Sequence, residues 1–148
     1  MKEEHSNSKN IEQLTSAAIS PVPQTGKVAN YSPLTLAFLG DGVYELYIRE
    51  KLVKKANTSV NILHNEKIKL VCCEKQSELL DTILPLLTED EIAIYKRGRN
   101  AGVNPPKHAK PVDYHKATGL ESLIGYLYLL GKIDRISELL EFSLDLNL

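Results

Sequence analysis

The chain has no tryptophan, one methionine and two phenylalanines, and its only cysteines, Cys72 and Cys73, are neighbours among 148 residues. Adjacent cysteines do not suggest a structural cross-link and fit a reducing compartment. Strong charge of either sign is also missing: 18 Lys and Arg stand against 19 Asp and Glu, a net charge of -1, so no global field draws in a polyanion. No apolar run approaches the ~20 residues needed to span a bilayer. Glu3 and Glu4 argue against a transit peptide, and the N-terminus has no apolar core of signal-peptide length. Runs of β-type alternation and internal repeats are absent. The expectation is a soluble, cytoplasmic, all-α protein, with 43% apolar residues to build one real core.

Helical signals begin after a polar stretch. Residues 1–30 contain Pro21 and Pro23 and no periodicity, which predicts a flexible leader, with the folded domain over 31–148. Ser32-Pro33 gives an N-cap followed by proline at the first helical position and opens a helix to about Lys54, expected to be the central one, covered on most sides. A second helical region runs from Val60 to Leu84, ended or kinked by Pro85. Thr88-Glu89-Asp90-Glu91 predicts a capping box and a short helix fading near Gly98. Residues Gly102 to Pro111 carry three prolines and read as a loop. A helix from Tyr114 to Leu130, stopped by Gly131, and a last one from Asp134 to Leu144 complete the chain.

Asp41 conflicts with its surroundings. On helical spacing it shares a stripe with Leu34, Ala37, Phe38, Glu45, Ile48 and Leu52, so two carboxylates fall on an apolar face. Gly40 and Gly42 flank it, each costing a helix interior about 1 kcal/mol relative to alanine. A buried carboxylate is expensive unless it is paired or holds a metal. Glu121 is the second such residue. It shares its stripe with Tyr114, Ala117, Gly125 and Tyr128, with Thr118 beside it, and the small neighbours leave room for an ion and waters. Mg²⁺ prefers oxygen ligands and keeps several waters, so Asp41 and Glu121 on facing helices suit it. The bland alternative is a pair of capped or salt-bridged helix-edge carboxylates.

At this point the residues resemble a family. Phe38-Leu39-Gly40-Asp41-Gly42-Val43-Tyr44-Glu45-Leu46 resembles the ribonuclease III signature, and Leu120-Glu121-Ser122-Leu123-Ile124-Gly125 resembles that family's second acidic motif, in matching order and spacing, over about residues 31–142. Two further acidic positions of the family are replaced by Ala37 and Thr118, and no double-stranded RNA-binding domain is expected after the last helix. This reduced pattern is similar to the Mini-III ribonucleases. The resemblance implies the ribonuclease III endonuclease-domain fold and a homodimeric, Mg²⁺-dependent endoribonuclease. It would cut double-stranded RNA to leave 5′-phosphate ends, and mature the ends of the 23S ribosomal RNA precursor in a bacterial cytoplasm or plastid stroma. A ribosomal protein is a candidate helper. Asp41 and Glu121 would be the catalytic metal ligands, with Glu45 and Thr118 as candidates for outer positions; a buried hydrogen-bonding role at the dimer contact is the equal alternative for Glu45.

A basic segment adds the substrate contacts. Lys96, Arg97, Arg99 and Asn100, with Lys107, His108 and Lys110, are candidates for phosphate binding, since duplex RNA is read mostly through phosphates and 2′-hydroxyls. Cations at a helix end also complement its dipole, which is the structural alternative. The competing functional expectation is a catalytically silent RNA-binding or ribosome-associated helical module, favoured by Ala37 and Thr118.

Overall fold

Helix α1 (Pro33–Lys55) begins on the fixed φ of Pro33; Ser32 occupies the cap position, but its hydroxyl makes no capping hydrogen bond. The computed structural model describes residues 28–144, so the first 27 residues of the expected leader lie outside the described residues. Its last three, Val28–Asn30, form a single 3-10 turn, and Val28 is buried against Leu36 and Ile94. The remaining helices are α2 (Val60–Val71), α3 (Cys73–Ile83), α4 (Glu89–Arg99), α5 (Pro111–Leu129) and α6 (Ile133–Ser143), with a 3-10 turn at Leu84–Leu86. Among the described residues there is no strand, and the all-α expectation holds.

The helix covered on most sides is α5 rather than α1. From Ala117 to Leu127 every residue except Glu121 and Tyr126 is buried. Leu120, Leu123 and Leu127 join Tyr44, Ile48 and Leu52 of α1, Leu79, Leu80 and Ile83 of α3, and Ile136, Leu139 and Leu140 of α6 in one core. Each such aliphatic side chain contributes about 1.5–3 kcal/mol when fully buried. Helix α1 buries only one face, Leu36, Ala37, Gly40, Tyr44, Ile48 and Leu52, and leaves Phe38, Leu46 and Val53 exposed. The stripe expected to unite Asp41 with Phe38 and Ile48 is therefore split. Ile48 and Leu52 lie inside, Phe38 and Asp41 outside, and Glu45 is half-buried between them.

Three boundaries differ from expectation. The region from Val60 to Leu84 is two helices, because Cys72 adopts an extended backbone (φ -64, ψ 153). Helix α5 starts at Pro111 rather than Tyr114, with Lys110 extended before it, so the proline that read as loop opens the helix. Helix α6 runs one residue earlier at each end than the span Asp134 to Leu144. The Thr88 capping box and the glycine stop behave as read. Thr88 and Glu91 form the reciprocal capping box, at 2.9 and 3.2 Å. Gly131 takes a positive φ of 73°, with its N–H donating to the Tyr128 carbonyl and that of Lys132 to the Leu127 carbonyl.

Candidate active site

Two glycines set the geometry of the site. A Cβ on Gly40 would lie 1.7 Å from the Glu121 carbonyl oxygen, and one on Gly125 would lie 2.0 Å from the Leu36 carbonyl oxygen. Helices α1 and α5 thus meet backbone to backbone, which only glycine permits here. A second tight crossing holds α4 against α5: a Cβ on Gly98 would fall 2.3 Å from Ser122 Oγ. Ser122 Oγ itself lies 2.8 Å from the Pro33 carbonyl and 3.0 Å from that of Thr118, so its single proton serves α1 and α5 at the junction of three helices.

Beside the glycine crossing, Asp41 and Glu121 line one open cleft of about 430 Å³, together with Gln76, Thr118, Tyr114 and His108. Burial, and then the neighbouring Asp41 carboxylate, push Glu121 up to about 7, while a hydrogen bond from Gln76 acts in the opposite direction. Asp41 is also raised, first by burial and then by Glu45. Each carboxylate therefore holds its proton more tightly than in water, the state that a divalent cation relieves. Among the described residues no group of three or more His, Cys, Asp or Glu side chains is placed to share an ion. The candidate ligand set is this pair. Two carboxylate oxygens donors with open space for waters fit Mg²⁺, which binds through one or two carboxylates and keeps part of its hydration shell.

The ribonuclease III domain family matches residues 34–132. A Mini-ribonuclease 3 of Symbiobacterium thermophilum is 45% identical over 114 residues, covering 76% of this chain and 88% of that one. The chain belongs to the ribonuclease III family, in its Mini-ribonuclease 3 group. A Mini-ribonuclease 3 of a Thermoanaerobacter species is 48% identical over 117 residues, covering 78% of this chain and 82% of its own. A crystal structure of a Fusobacterium nucleatum protein superposes with a TM-score of 0.76 at 30% identity, over 84% of this chain and all of that one. Membership of the ribonuclease III family makes the chain an endoribonuclease of that type.

Within this ribonuclease III fold the other expected site residues are dispersed. Thr118 and His108 line the cleft, and the Thr118 hydroxyl donates to the Tyr114 carbonyl at 2.9 Å. Glu45 does not line it. Its carboxylate is ion-paired to Lys67 at 2.9 Å and to Arg49 at 3.3 Å, and the Lys67 hydrogen bond in particular holds it below its ordinary value. Lys96, Arg97, Arg99, Asn100, Lys107 and Lys110 also lie off the cleft. Arg97 is engaged by its own fold: its guanidinium donates to the backbone carbonyls of Ala29 and Tyr31. Arg99 stacks over the Tyr95 ring at 5.5 Å and donates to Asn100 Oδ1. Lys96, Lys107 and Lys110 are exposed.

Sequence reasoning missed Glu74, Gln76, Cys72 and Cys73 as cleft residues. The cysteines carried a signal only for redox compartment. Gln76 did carry one: it occupies a position on the buried face of α3, in register with Leu79, Leu80 and Ile83, where an apolar residue belongs.

Proposed function

We propose that this chain is a Mg²⁺-dependent endoribonuclease that hydrolyses double-stranded RNA, leaving a 5′ phosphate and a 3′ hydroxyl. The observation that carries the reading is the Gly40–Gly125 crossing, which sets two proton-hungry carboxylates on one open cleft. Asp41 and Glu121 would hold the ion. When bound, Mg²⁺ supplies Lewis-acid polarisation of the scissile phosphate and a lowered pKa for the attacking water. The chain's own residues do the rest. Asp41 and Glu121 must both be ionised to bind, so the proton that Glu121 retains near neutrality has to leave first. Lys96, Arg99, Asn100, Lys107, His108 and Lys110 would contact the duplex backbone, with Arg97 serving mainly to fasten residues 29–31 to α4.

The working form is proposed to be a homodimer. Phe38 is 86% exposed, Leu46 62% and Val53 58%, all on one face of α1. A two-fold copy would cover this face. It would also present two clefts to the two strands of one duplex. The RNA is proposed to be the 23S ribosomal RNA precursor, matured in a bacterial cytoplasm or plastid stroma, with a ribosomal protein as helper. Support for that is the Mini-ribonuclease 3 group to which the chain belongs.

The test is cleavage of long double-stranded RNA by purified protein with Mg²⁺ and with chelator, beside Asp41→Asn and Glu121→Gln. Wild type should cut only with the metal, and both variants should bind duplex without cutting it. Wild type that binds duplex but cuts nothing across a range of Mg²⁺ and Mn²⁺ would establish the silent RNA-binding module instead.

A further inference from the structure

Gln76 is an amide on an apolar helix face. It is 3% exposed, and the face it shares with Leu79, Leu80 and Ile83 packs into the core. Its Nε2 donates to the Val71 carbonyl at 3.0 Å, one of the acceptors left over where α2 stops at Cys72. A carbonyl can only accept, so this contact fixes which end of the amide is nitrogen. The same side chain lines the cleft beside Glu121, close enough to pull the Glu121 carboxyl down against the effect of burial. An amide nitrogen has two protons, so the one that Val71 does not take is available to Glu121. Gln76 Oε1 is buried and has no protein partner. Thr118 directs its hydroxyl to its own helix, at the Tyr114 carbonyl, so that proton is not given to Glu121.

We propose that Gln76 is a positioning residue for Glu121, its second amide proton directed to the carboxylate and holding it on the Asp41 side of the cleft. This rests on the two-carboxylate Mg²⁺ site proposed above. The break at Cys72 is what makes the arrangement available: the interrupted helix frees the Val71 carbonyl that anchors the amide. A leucine at 76 would fill the space and leave Glu121 free to turn, while a glutamate would add a further negative charge to a cleft already lined by Asp41, Glu74 and Glu121.

The experiment is Mg²⁺ binding by calorimetry, without RNA, to wild type and to Gln76→Met, which keeps length and volume but no hydrogen bonds. Loss of such an outer partner typically weakens metal binding about 10- to 100-fold. Gln76→Met should lose affinity in that range and need correspondingly more Mg²⁺ for half-maximal cleavage. At saturating Mg²⁺ its rate should recover, with duplex binding unchanged. Equal Mg²⁺ affinity in wild type and Gln76→Met overturns the proposal alone; wild type that takes up no Mg²⁺ overturns the metal site and this proposal with it. Nitrogen-detected NMR of the Gln76 side-chain amide provides a check that needs no folded Gln76 variant. Its resonances should move on Glu121→Gln and on adding Mg²⁺ to wild type, and unmoved resonances overturn the assignment.

Discussion

Gly40 stands so close to Glu121 that a methyl group on it would sit 1.7 Å from the Glu121 carbonyl oxygen, while Gly42, two residues on, has nothing within 4 Å of its would-be Cβ. The two glycines that flank Asp41 therefore have different reasons to exist. Gly40→Ala should force α1 and α5 apart, lower the melting temperature and separate Asp41 from Glu121, with loss of cleavage. Gly42→Ala should leave the monomer fold intact and stabilise α1 by about 1 kcal/mol through helix propensity. Thermal melts of the two variants check this, and similar behaviour of the pair would contradict the crossing described above.

Glu121 titrates far from its ordinary range, which gives stability a pH signature. Its value rises from 4.5 to about 7 on folding, so the fold favours the protonated acid. That stabilisation is complete below about 4.5 and disappears as pH climbs through 7. In chelator, the melting temperature of wild type relative to Glu121→Gln should therefore decline across this window. Mg²⁺ affinity should run the other way and increase up to about pH 7, by roughly tenfold per unit while one proton must be displaced. A pH-independent difference between the two proteins in chelator would show that Glu121 ionises normally.

Charge removal at the end of α4 separates RNA contact from helix capping. Lys96→Ala with Arg99→Ala should weaken duplex binding and flatten the plot of log affinity against log salt by about 0.9 per phosphate contact on the duplex-DNA scale. Arg97→Ala should act differently, lowering stability, because its guanidinium holds the Ala29 and Tyr31 carbonyls. A salt slope unchanged in the Lys96/Arg99 pair would assign those cations to the helix dipole.

The exposed face of α1 predicts association. Phe38→Glu and Leu46→Glu each place a charge on a side chain that is open in one chain, at 86% and 62% exposure, so neither should disturb the monomer fold. Sedimentation should find wild type dimeric at micromolar concentration and both variants monomeric. A wild type that sediments as an active monomer would mean that the stripe has some other use. Tyr47 is less informative here, because it packs against the core.

What was legible in the sequence was local or chemical. The capping box at Thr88 and Glu91, the glycine stop at Gly131 and the proline start at Pro33 depend on a few neighbouring residues, and all are found. Asp41 and Glu121 stood out because a carboxylate on an apolar helix face needs a reason. The break at Cys72 was illegible: no glycine or proline marks it, and the freed Val71 carbonyl is satisfied by a side chain five residues away. Arg97 read as one cation among several because its acceptors lie 66 and 68 residues distant along the chain. The covering of α5 rather than α1 was equally hidden, since apolar residues on every face of α1 predict burial without saying whether a second copy is needed to provide it.

The glycine crossing also bears on how the site answers its ligand. Two carboxylates that repel one another would ordinarily drift apart in the absence of a cation, and binding would then have to draw them back. Here the repulsion acts on side chains carried by backbones already in contact at Gly40 and Gly125, with Ser122 bridging to Pro33 behind them. Mutual repulsion can rotate the two side chains but has little leverage on the helices. Metal-free protein should consequently keep the backbone geometry of the loaded state, with adjustment confined to rotamers and protons. An ion arriving at this cleft meets a frame assembled by folding, and the work left to it is to displace a proton.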